Sequence, residues 1–281
     1  MKKKISIIII GCVLFLAALG VTFYPLISNY VNNKYQSEIQ TQYETCVEEM
    51  GESRLRDLWE AARNYNDSLN TVQYNKEGLQ IAAQEYNDIL NPDGNGIMGY
   101  VEIPKISVYL PIYHNSDAMT LEDGVGHLIG SSLPIGGDGT HSVLSAHSGV
   151  AGKKLFSDLD QLSAGDVFYL HVLNETLAYH VDEINTVLPH DSSLLGRTAK
   201  DDRCTLITCT PFGVNTHRLL VQGSRTTYEE AKEIEAERPV AAPSTWSQQY
   251  MHGLMLGGAI IICVLLGFFL ILFITKRRKR K

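Results

Sequence analysis

Two uncharged apolar runs, one near each end of the chain, constrain this sequence more than any other feature. The first extends from Ile5 to Tyr24 and the second from Gly253 to Thr275. A helix of about 20 apolar residues crosses a hydrocarbon core of roughly 30 Å. Each run is therefore predicted to be a transmembrane helix, and the lipid bilayer is a predicted partner of the chain.

The first run has a second interpretation as a signal peptide, because Lys2 to Lys4 resemble its charged leading region. No small-x-small cleavage site follows the run, and its length favours a retained anchor. The second run is flanked by Trp246 and Tyr250 on one side and by the basic tail 276–281 on the other. Aromatic residues and positive charges at opposite interfaces are typical of a transmembrane helix rather than of a buried helix in a soluble protein.

The distribution of charge predicts the orientation of the chain. Nine of its 24 Lys and Arg residues lie at the two ends, which leaves 15 basic against 31 acidic residues between them. Because positive charge stays on the cytoplasmic side, both termini are predicted to be cytoplasmic and residues 30–250 to lie outside the cell membrane. An acidic middle segment repels phosphate backbones, which excludes nucleic acid as a partner.

The five cysteines are too few and too scattered for a disulfide scaffold. Cys12 and Cys263 lie in the apolar runs, so Cys46, Cys204 and Cys209 form an odd-numbered external set. At least one external thiol should be free. It is either a candidate nucleophile or a small buried hydrophobic residue.

The segment from Asn29 to Leu90 is predicted to contain two or three amphipathic helices. Apolar residues such as Tyr43, Cys46 and Met50 recur at intervals of three and four residues, which is helical spacing. Cys46 is thereby predicted to face the core, with no chemical role. Residues 91–96, with the sequence NPDGNG, should end the helices in a turn.

The same turn has a second interpretation as a calcium site. Asn91, Asp93, Asn95, Gly96 and Glu102 match positions of an EF-hand loop. An Asn stands at the usual first Asp, however, and the residues that follow alternate like a strand and include a Pro, where an EF-hand needs a helix. We therefore predict a turn, and no metal or other cofactor.

From Gly99 onward, short alternating and β-branched runs favour a mainly β domain, an antiparallel barrel or sandwich. Eight strands are predicted: Gly99–Ile106, Val108–His114, His127–Ser131, His141–His147, Asp166–Leu173, Thr176–Leu188, Cys204–Cys209 and His217–Thr226. Short helices are predicted at Lys153–Leu162 and Glu229–Glu237, and a linker at Pro239–Gln248.

The predicted organisation has six parts. They are an N-terminal anchor (1–29), an external helical segment (30–90), a catalytic barrel (91–228), a helix and linker (229–250), a transmembrane helix (251–275) and a cytoplasmic tail (276–281).

Candidate chemistry is concentrated near Cys209. A β-branched strand ends there, because Pro211 cannot donate to a sheet. A Gly- and Asn-containing loop follows, and a hairpin across it would bring Arg218 opposite Cys209. A guanidinium at that position favours a thiolate and stabilises negative charge that develops on an attacked carbonyl.

A Cys nucleophile also needs a proton carrier, and His suits that role at neutral pH. His147 follows a predicted strand and precedes Ser148-Gly149, a loop from which it could reach a cleft. His217 is the nearest competitor in sequence, but strand alternation would turn it away from the face of Arg218. Most of the nine His residues are expected to be surface or core residues.

These segments resemble a sortase over Asn91–Arg225. The motifs are TLITCTP at Thr205–Pro211, SAHSG at Ser145–Gly149, NTHRLLVQG at Asn215–Gly223, GYVEIPKI at Gly99–Ile106 and GSSLPIGG at Gly130–Gly137. The terminal runs, the preceding helical segment and the NTHRLL form are most similar to class C sortases, which polymerise pilins.

The resemblance implies an eight-stranded sortase barrel with Cys209 as nucleophile, His147 as acid and base and Arg218 as oxyanion stabiliser. It implies a thioester formed from an LPXTG-like sorting signal and resolved by a pilin Lys amine. Thr208 is expected to shape the substrate site, with Ser131 and Ser132 as further candidates. Cys204 is interpreted as core packing.

Two features depart from class C sortases. The Asp-Pro-aromatic motif of their inhibitory lid is absent from this sequence, and Ser148 stands where many relatives have Arg. Two other functions remain open: a sortase that anchors surface proteins to cell-wall peptide, and a non-catalytic, membrane-anchored binding barrel. A papain-like hydrolase is disfavoured because its nucleophile opens a helix instead of ending a strand.

Overall fold

The computed structural model describes residues 2–69, 86–150, 152–198, 200–238 and 245–278. The chain forms two compact units. One comprises Met1–Asn32, Ala151–Lys153 and Thr245–Lys281, and the other comprises Asn33–Val150 and Lys154–Ser244.

The helices agree in part with the sequence predictions. They are α1 (Lys2–Glu48), α2 (Glu52–Ser68), α3 (Ala118–Asp123), α4 (Tyr228–Glu237) and α5 (Thr245–Arg278). The first apolar run lies within α1, which continues into the predicted external helical segment, and the second lies within α5. The predicted linker Pro239–Gln248 is wrong at its end because α5 begins at Thr245. Residues 1, 70–85, 151, 199, 239–244 and 279–281 of the predicted parts lie outside the described residues.

Judged by length and apolarity over the described residues, no helix by itself is sufficient to cross a membrane. Two segments of α1 are long and apolar enough only when taken together. They are Ile9–Tyr24 and Ile27–Glu48, which are bent by 42° relative to each other. The apolar segment His252–Phe268 of α5 is shorter.

Eight strands close into a barrel, so the barrel alternative is confirmed and the sandwich is not. They are β1 (Ile97–Ile103), β2 (Val108–Tyr113), β3 (Val125–His127), β4 (Thr140–Ser145), β5 (Val167–Val172), β6 (Glu175–Val187), β7 (Asp202–Thr210) and β8 (His217–Thr226). Neighbours around the barrel follow the order β1-β2-β3-β4-β7-β8-β6-β5. Alternating side chains such as Val101, Leu206 and Val221 are fully buried and fill the core.

The expectation of a purely antiparallel sheet is wrong at two pairings. Strand β2 runs parallel to β3, and β4 runs parallel to β7 from Thr140↔Asp202 to Ser145↔Ile207. Alternation in a sequence specifies which face of a strand is buried but not the direction of its neighbour. The parallel β4–β7 pair brings the carboxyl ends of both strands to one end of the barrel.

The helix predicted at Lys153–Leu162 is also wrong. Its apolar spacing is real, since Phe156 and Leu159 are fully buried. The backbone of Leu155, however, has a φ of 43°, which interrupts a right-handed helix. Turns and a short 3₁₀ helix at Leu159–Gln161 therefore replace the predicted α-helix.

The NPDGNG segment forms a turn that closes on its own side chains. Asn91 Oδ1 accepts from the Gly96 N–H at 2.8 Å, and Asp93 Oδ1 accepts from the Asn95 N–H at 3.0 Å. A strand follows instead of the helix of an EF-hand, as the alternation predicted. Within that strand, Glu102 Oε2 lies 2.7 Å from His171 Nε2, and this hydrogen bond lowers the pKa of the Glu102 carboxyl.

Tyr43 connects α1 to the barrel through a buried hydroxyl. The hydroxyl donates to Met98 O at 3.0 Å and accepts from the Leu173 N–H at 2.9 Å. The residue is 2% exposed and packs edge-on against Tyr100, with 5.4 Å between ring centroids. One side chain thus satisfies backbone groups in β1 and in the turn between β5 and β6.

Replacing Tyr43 with Phe should lower the free energy of unfolding by about 1 to 3 kcal/mol, because two buried backbone groups lose their partner. The measurement is thermal unfolding of the full chain in detergent, with hydrogen exchange at the Leu173 amide. Tyr35→Phe is the matched control, since Tyr35 lies in the same helix and is 57% exposed. Equal stability of the two variants would contradict the assigned role of the hydroxyl.

Candidate active site

Cys209 lies near the carboxyl end of β7, directly across from Arg218 in β8. The predicted hairpin register is therefore confirmed. Its loop closes through Pro211 O, which accepts from the N–H groups of Val214 and Asn215, both at 3.0 Å. Cys209 is half-buried and free of disulfide bonds. A partly exposed thiol at a strand end is accessible to a substrate carbonyl.

His147 is held at the same end of the barrel by an extension of the β4–β7 pairing. Just past β4, the Ala146 N–H donates to Ile207 O at 3.1 Å, and Thr208 Oγ1 donates to Ala146 O at 2.8 Å. His147 O in turn accepts from the Phe156 N–H at 3.1 Å. Backbone and side-chain contacts on two sides thus fix the segment that carries the imidazole.

A cleft of about 380 Å³ opens at this end of the barrel. The residues with chemical function that line it include His147, His190, Asp191, Thr208, Cys209 and Arg218. The structure therefore brings together the three residues that the sequence predicted to be catalytic. Apolar walls from Val143, Ile207 and Leu220 surround them.

Arg218 is oriented by carbonyl groups at the start of β8 and in the loop before it. Its Nη1 donates to His217 O at 3.1 Å and to Asn215 O at 3.3 Å. Two bonds at one nitrogen hold the planar guanidinium and leave Nε and Nη2 as donors for a substrate oxygen. A fixed cation beside a thiol is an arrangement that can stabilise a tetrahedral oxyanion.

Residues 101–226 match the family model described as the sortase domain. The chain is also similar to the crystal structure of sortase C1 from Streptococcus agalactiae, at 43% identity and a TM-score of 0.63. That similarity covers 68% of this chain and 98% of the other. This chain belongs to the sortase family. Sortases are cysteine transpeptidases, so the protein is an enzyme of acyl transfer.

Two further solved sortases are similar to this one. The sortase C of Streptococcus pneumoniae, whose structure is described as informing catalysis and pilin substrate specificity, is 39% identical with a TM-score of 0.61, covering 68% of this chain and 97% of that one. The sortase C of Clostridium perfringens, solved with the C-terminal cell wall sorting motif, is 41% identical with a TM-score of 0.58, covering 68% and 99%. These three structural neighbours of this sortase are thus class C enzymes.

Ser131 and Ser132, predicted as substrate contacts, are not among the described residues that line the cleft of this sortase. Ser131 Oγ donates to Leu128 O at 2.8 Å and accepts from the Val143 N–H at 3.1 Å, while Ser132 Oγ accepts from the His141 N–H at 3.1 Å. Both side chains are buried and satisfy backbone groups of β4 and of Leu128, just after β3. Neither residue lines the cleft, and their hydrogen bonds to backbone groups stabilise the fold.

Cys204 lies in the core, as predicted, and His217 is not among the described residues that line the cleft. Cys204 is fully buried, and burial raises the pKa of its thiol well above the ordinary value, so it remains a neutral core residue. His217 pairs with Thr210, and its Nδ1 lies 3.0 Å from Thr216 Oγ1 in the β7–β8 loop. His147, which the sequence favours over His217 as the proton carrier, lines the cleft.

The cleft wall after β6, which includes His190 and Asp191, could not be predicted from the sequence. Strand β6 pairs antiparallel with β8 and ends at Val187, opposite Arg218. The loop that follows therefore begins beside the cleft. No motif marks this loop, and only the β6–β8 register could have identified it.

Proposed function

We propose that this sortase is a membrane-bound transpeptidase that polymerises pilins. It cleaves an LPXTG-like sorting signal between Thr and Gly through a thioester on Cys209, and it transfers the acyl group to a pilin Lys amine. The observation that carries this proposal is the cleft in which Cys209, His147 and Arg218 meet. Similarity to the pneumococcal and clostridial class C enzymes supports the choice of sorting signal and pilin.

In the first half-reaction, the Cys209 thiolate attacks the Thr carbonyl carbon and forms a tetrahedral oxyanion. Arg218 donates hydrogen bonds to that oxyanion through Nε and Nη2, which the bonds to His217 O and Asn215 O leave unused. The imidazolium of His147 gives its proton to the departing Gly amine as the C–N bond breaks. The products are a thioester on Cys209, a free Gly amine and a neutral His147.

In the second half-reaction, the Lys amine attacks the thioester carbonyl. His147 accepts the proton that the amine loses, and the tetrahedral intermediate collapses with departure of the Cys209 thiolate. An isopeptide bond forms, and the ion pair of thiolate and imidazolium is restored. Side chains and substrates supply every proton and electron pair, so the proposed mechanism uses neither a metal ion nor an organic cofactor.

We infer that the chain is inserted with both termini in the cytoplasm and the barrel outside. The uncharged runs in α1 and α5 and the basic residues at the two ends support this topology. Sortases are membrane-anchored at the cell surface, where a tethered enzyme meets tethered substrates at high effective concentration. Reactivity of single-Cys variants towards a membrane-impermeant thiol reagent tests the topology at each end.

The proposed function is tested with the full chain in detergent, an LPXTG peptide set and two acceptors, purified pilin and a cell-wall peptide amine. Mass spectrometry follows the thioester and the isopeptide products. We expect a Cys209 thioester and covalent pilin ladders. Transfer only to the cell-wall peptide would make the protein an anchoring sortase, and absence of any adduct would contradict transpeptidase function.

A further inference from the structure

The second half-reaction requires recognition of an amine that reaches the cleft as a cation. A Lys side chain is an ammonium ion at neutral pH, with a pKa of about 10.4. Three of the described side chains that line the cleft are basic, namely His147, His190 and Arg218. Asp191 is the one carboxylate among the described lining residues. The cleft thus contains a single anionic group that could attract an ammonium ion.

The carboxylate of Asp191 is fixed by the turn that carries it. Its Oδ1 accepts from the Ser193 N–H at 3.0 Å and from Ser193 Oγ at 2.7 Å. The Asp191 N–H donates to Leu188 O at 3.0 Å and anchors the other side of the turn. Both of these bonds use Oδ1, and the residue is exposed, so Oδ2 remains accessible to a ligand. The hydrogen bonds from Ser193 also lower the pKa of the Asp191 carboxyl, so it is ionised at neutral pH.

Interior side chains hold the rest of this loop against the barrel. His141 Nδ1 lies 2.9 Å from Gly196 O, and its Nε2 lies 2.6 Å from Thr205 Oγ1. The carbonyl can only accept, so Nδ1 carries the proton and Nε2 accepts from the hydroxyl. Gln222 Nε2 donates to Leu194 O at 3.0 Å. Two buried side chains therefore hold the loop that carries Asp191, and Asp191 lines the same cleft as Cys209 and His147.

We propose that Asp191 binds the ammonium group of the acceptor Lys and directs it to the thioester on Cys209. This inference rests on the proposed function, since it names the acceptor-recognition residue of that site. A Lys ammonium ion must lose one proton to water, through the neutral imidazole of His147, before the amine attacks, and His147 then accepts the second proton as the isopeptide bond forms. A neutral amine carries no positive charge and therefore gains no ionic attraction from the carboxylate.

The experiment compares two nucleophiles on the full chain in detergent with an LPXTG peptide. One is a Lys-containing peptide, and the other is hydroxylamine, which is neutral at pH 7. In Asp191→Asn, the amide oxygen still accepts from Ser193 and only the charge is lost. We expect the ratio of kcat/KM for Lys to kcat/KM for hydroxylamine to fall about three- to tenfold, mainly through a higher KM for Lys.

Asp138→Asn is the matched control, because Asp138 is exposed in a turn that does not line the cleft. Its ratio should equal that of the wild type. An unchanged ratio in Asp191→Asn would overturn the inference, and so would an equal loss with both nucleophiles, which indicates a purely structural role. Failure of the wild type to form a thioester would instead overturn the proposed function on which the inference rests.

Discussion

Replacing Cys209 with Ala is expected to abolish thioester formation and pilin ladders, with a loss of at least about 10³-fold in acyl transfer. Loss of a covalent nucleophile removes the whole two-step route, which is why such variants lose orders of magnitude in kcat. The full chain is incubated with an LPXTG peptide, and mass spectrometry detects the peptide adduct on the protein. The fold should persist, because Cys209 is half-buried at a strand end and the substitution creates no large cavity.

Cys46→Ala is the control for this experiment. Cys46 is a second half-buried free cysteine, located in α1, where its Sγ lies 3.6 Å from Pro92 O. That variant should form the adduct at the rate of the wild type. An adduct that persists in Cys209→Ala would assign the nucleophile to another residue.

Replacing Arg218 with Gln is expected to lower kcat/KM for acyl transfer about 10²- to 10³-fold. The substitution removes the donor beside Cys209, and loss of one oxyanion donor costs about 2.7 to 4 kcal/mol of transition-state stabilisation. Arg218→Lys should recover only part of the loss, because an ammonium group keeps the charge without the planar set of donors. Steady-state kinetics with peptide and acceptor measure both variants.

Arg203→Gln serves as the matched substitution for Arg218. Arg203 also lies in the β7–β8 sheet, where it pairs with Ser224 and sits 3.9 Å from Asp201 Oδ2. Its loss should change kcat/KM less than threefold, in keeping with the small effect of an exposed ion pair. If Arg218→Gln behaved the same way, Arg218 would have no part in stabilising the oxyanion.

The strands of the barrel could be predicted because their pattern is local. Alternation and β-branched residues located all eight, and errors at their ends were small except at β3, where His127–Ser131 was predicted and Val125–His127 is observed. The prediction of a short helix at Lys153–Leu162 was wrong for a reason that apolar spacing does not show. Its apolar residues contact the core, but the backbone at Leu155 adopts a left-handed conformation that apolar spacing does not report.

Ser131 and Ser132, the predicted substrate contacts, also show what a local sequence pattern does not report. A motif can place a residue in a family region, but hydroxyl groups in that region serve buried backbone donors as readily as a ligand. Here the Val143 N–H donates to the Ser131 hydroxyl, and the His141 N–H donates to the Ser132 hydroxyl. Only the tertiary structure distinguishes a side chain at the cleft from one behind its wall.

The sequence by itself determined the two apolar runs, the eight-stranded domain and the pairing of Cys209 with Arg218. That pairing needs only a hairpin, whose strands are adjacent in sequence, and hairpin register follows from local alternation and loop length. The position of His147 beside Cys209 was decided by the tertiary structure. It depends on β4 lying parallel to β7, and the position of Asp191 depends on β6 pairing with β8. These contacts form between segments distant in sequence, where closure of the barrel, and not any local pattern, selects the neighbour and its direction.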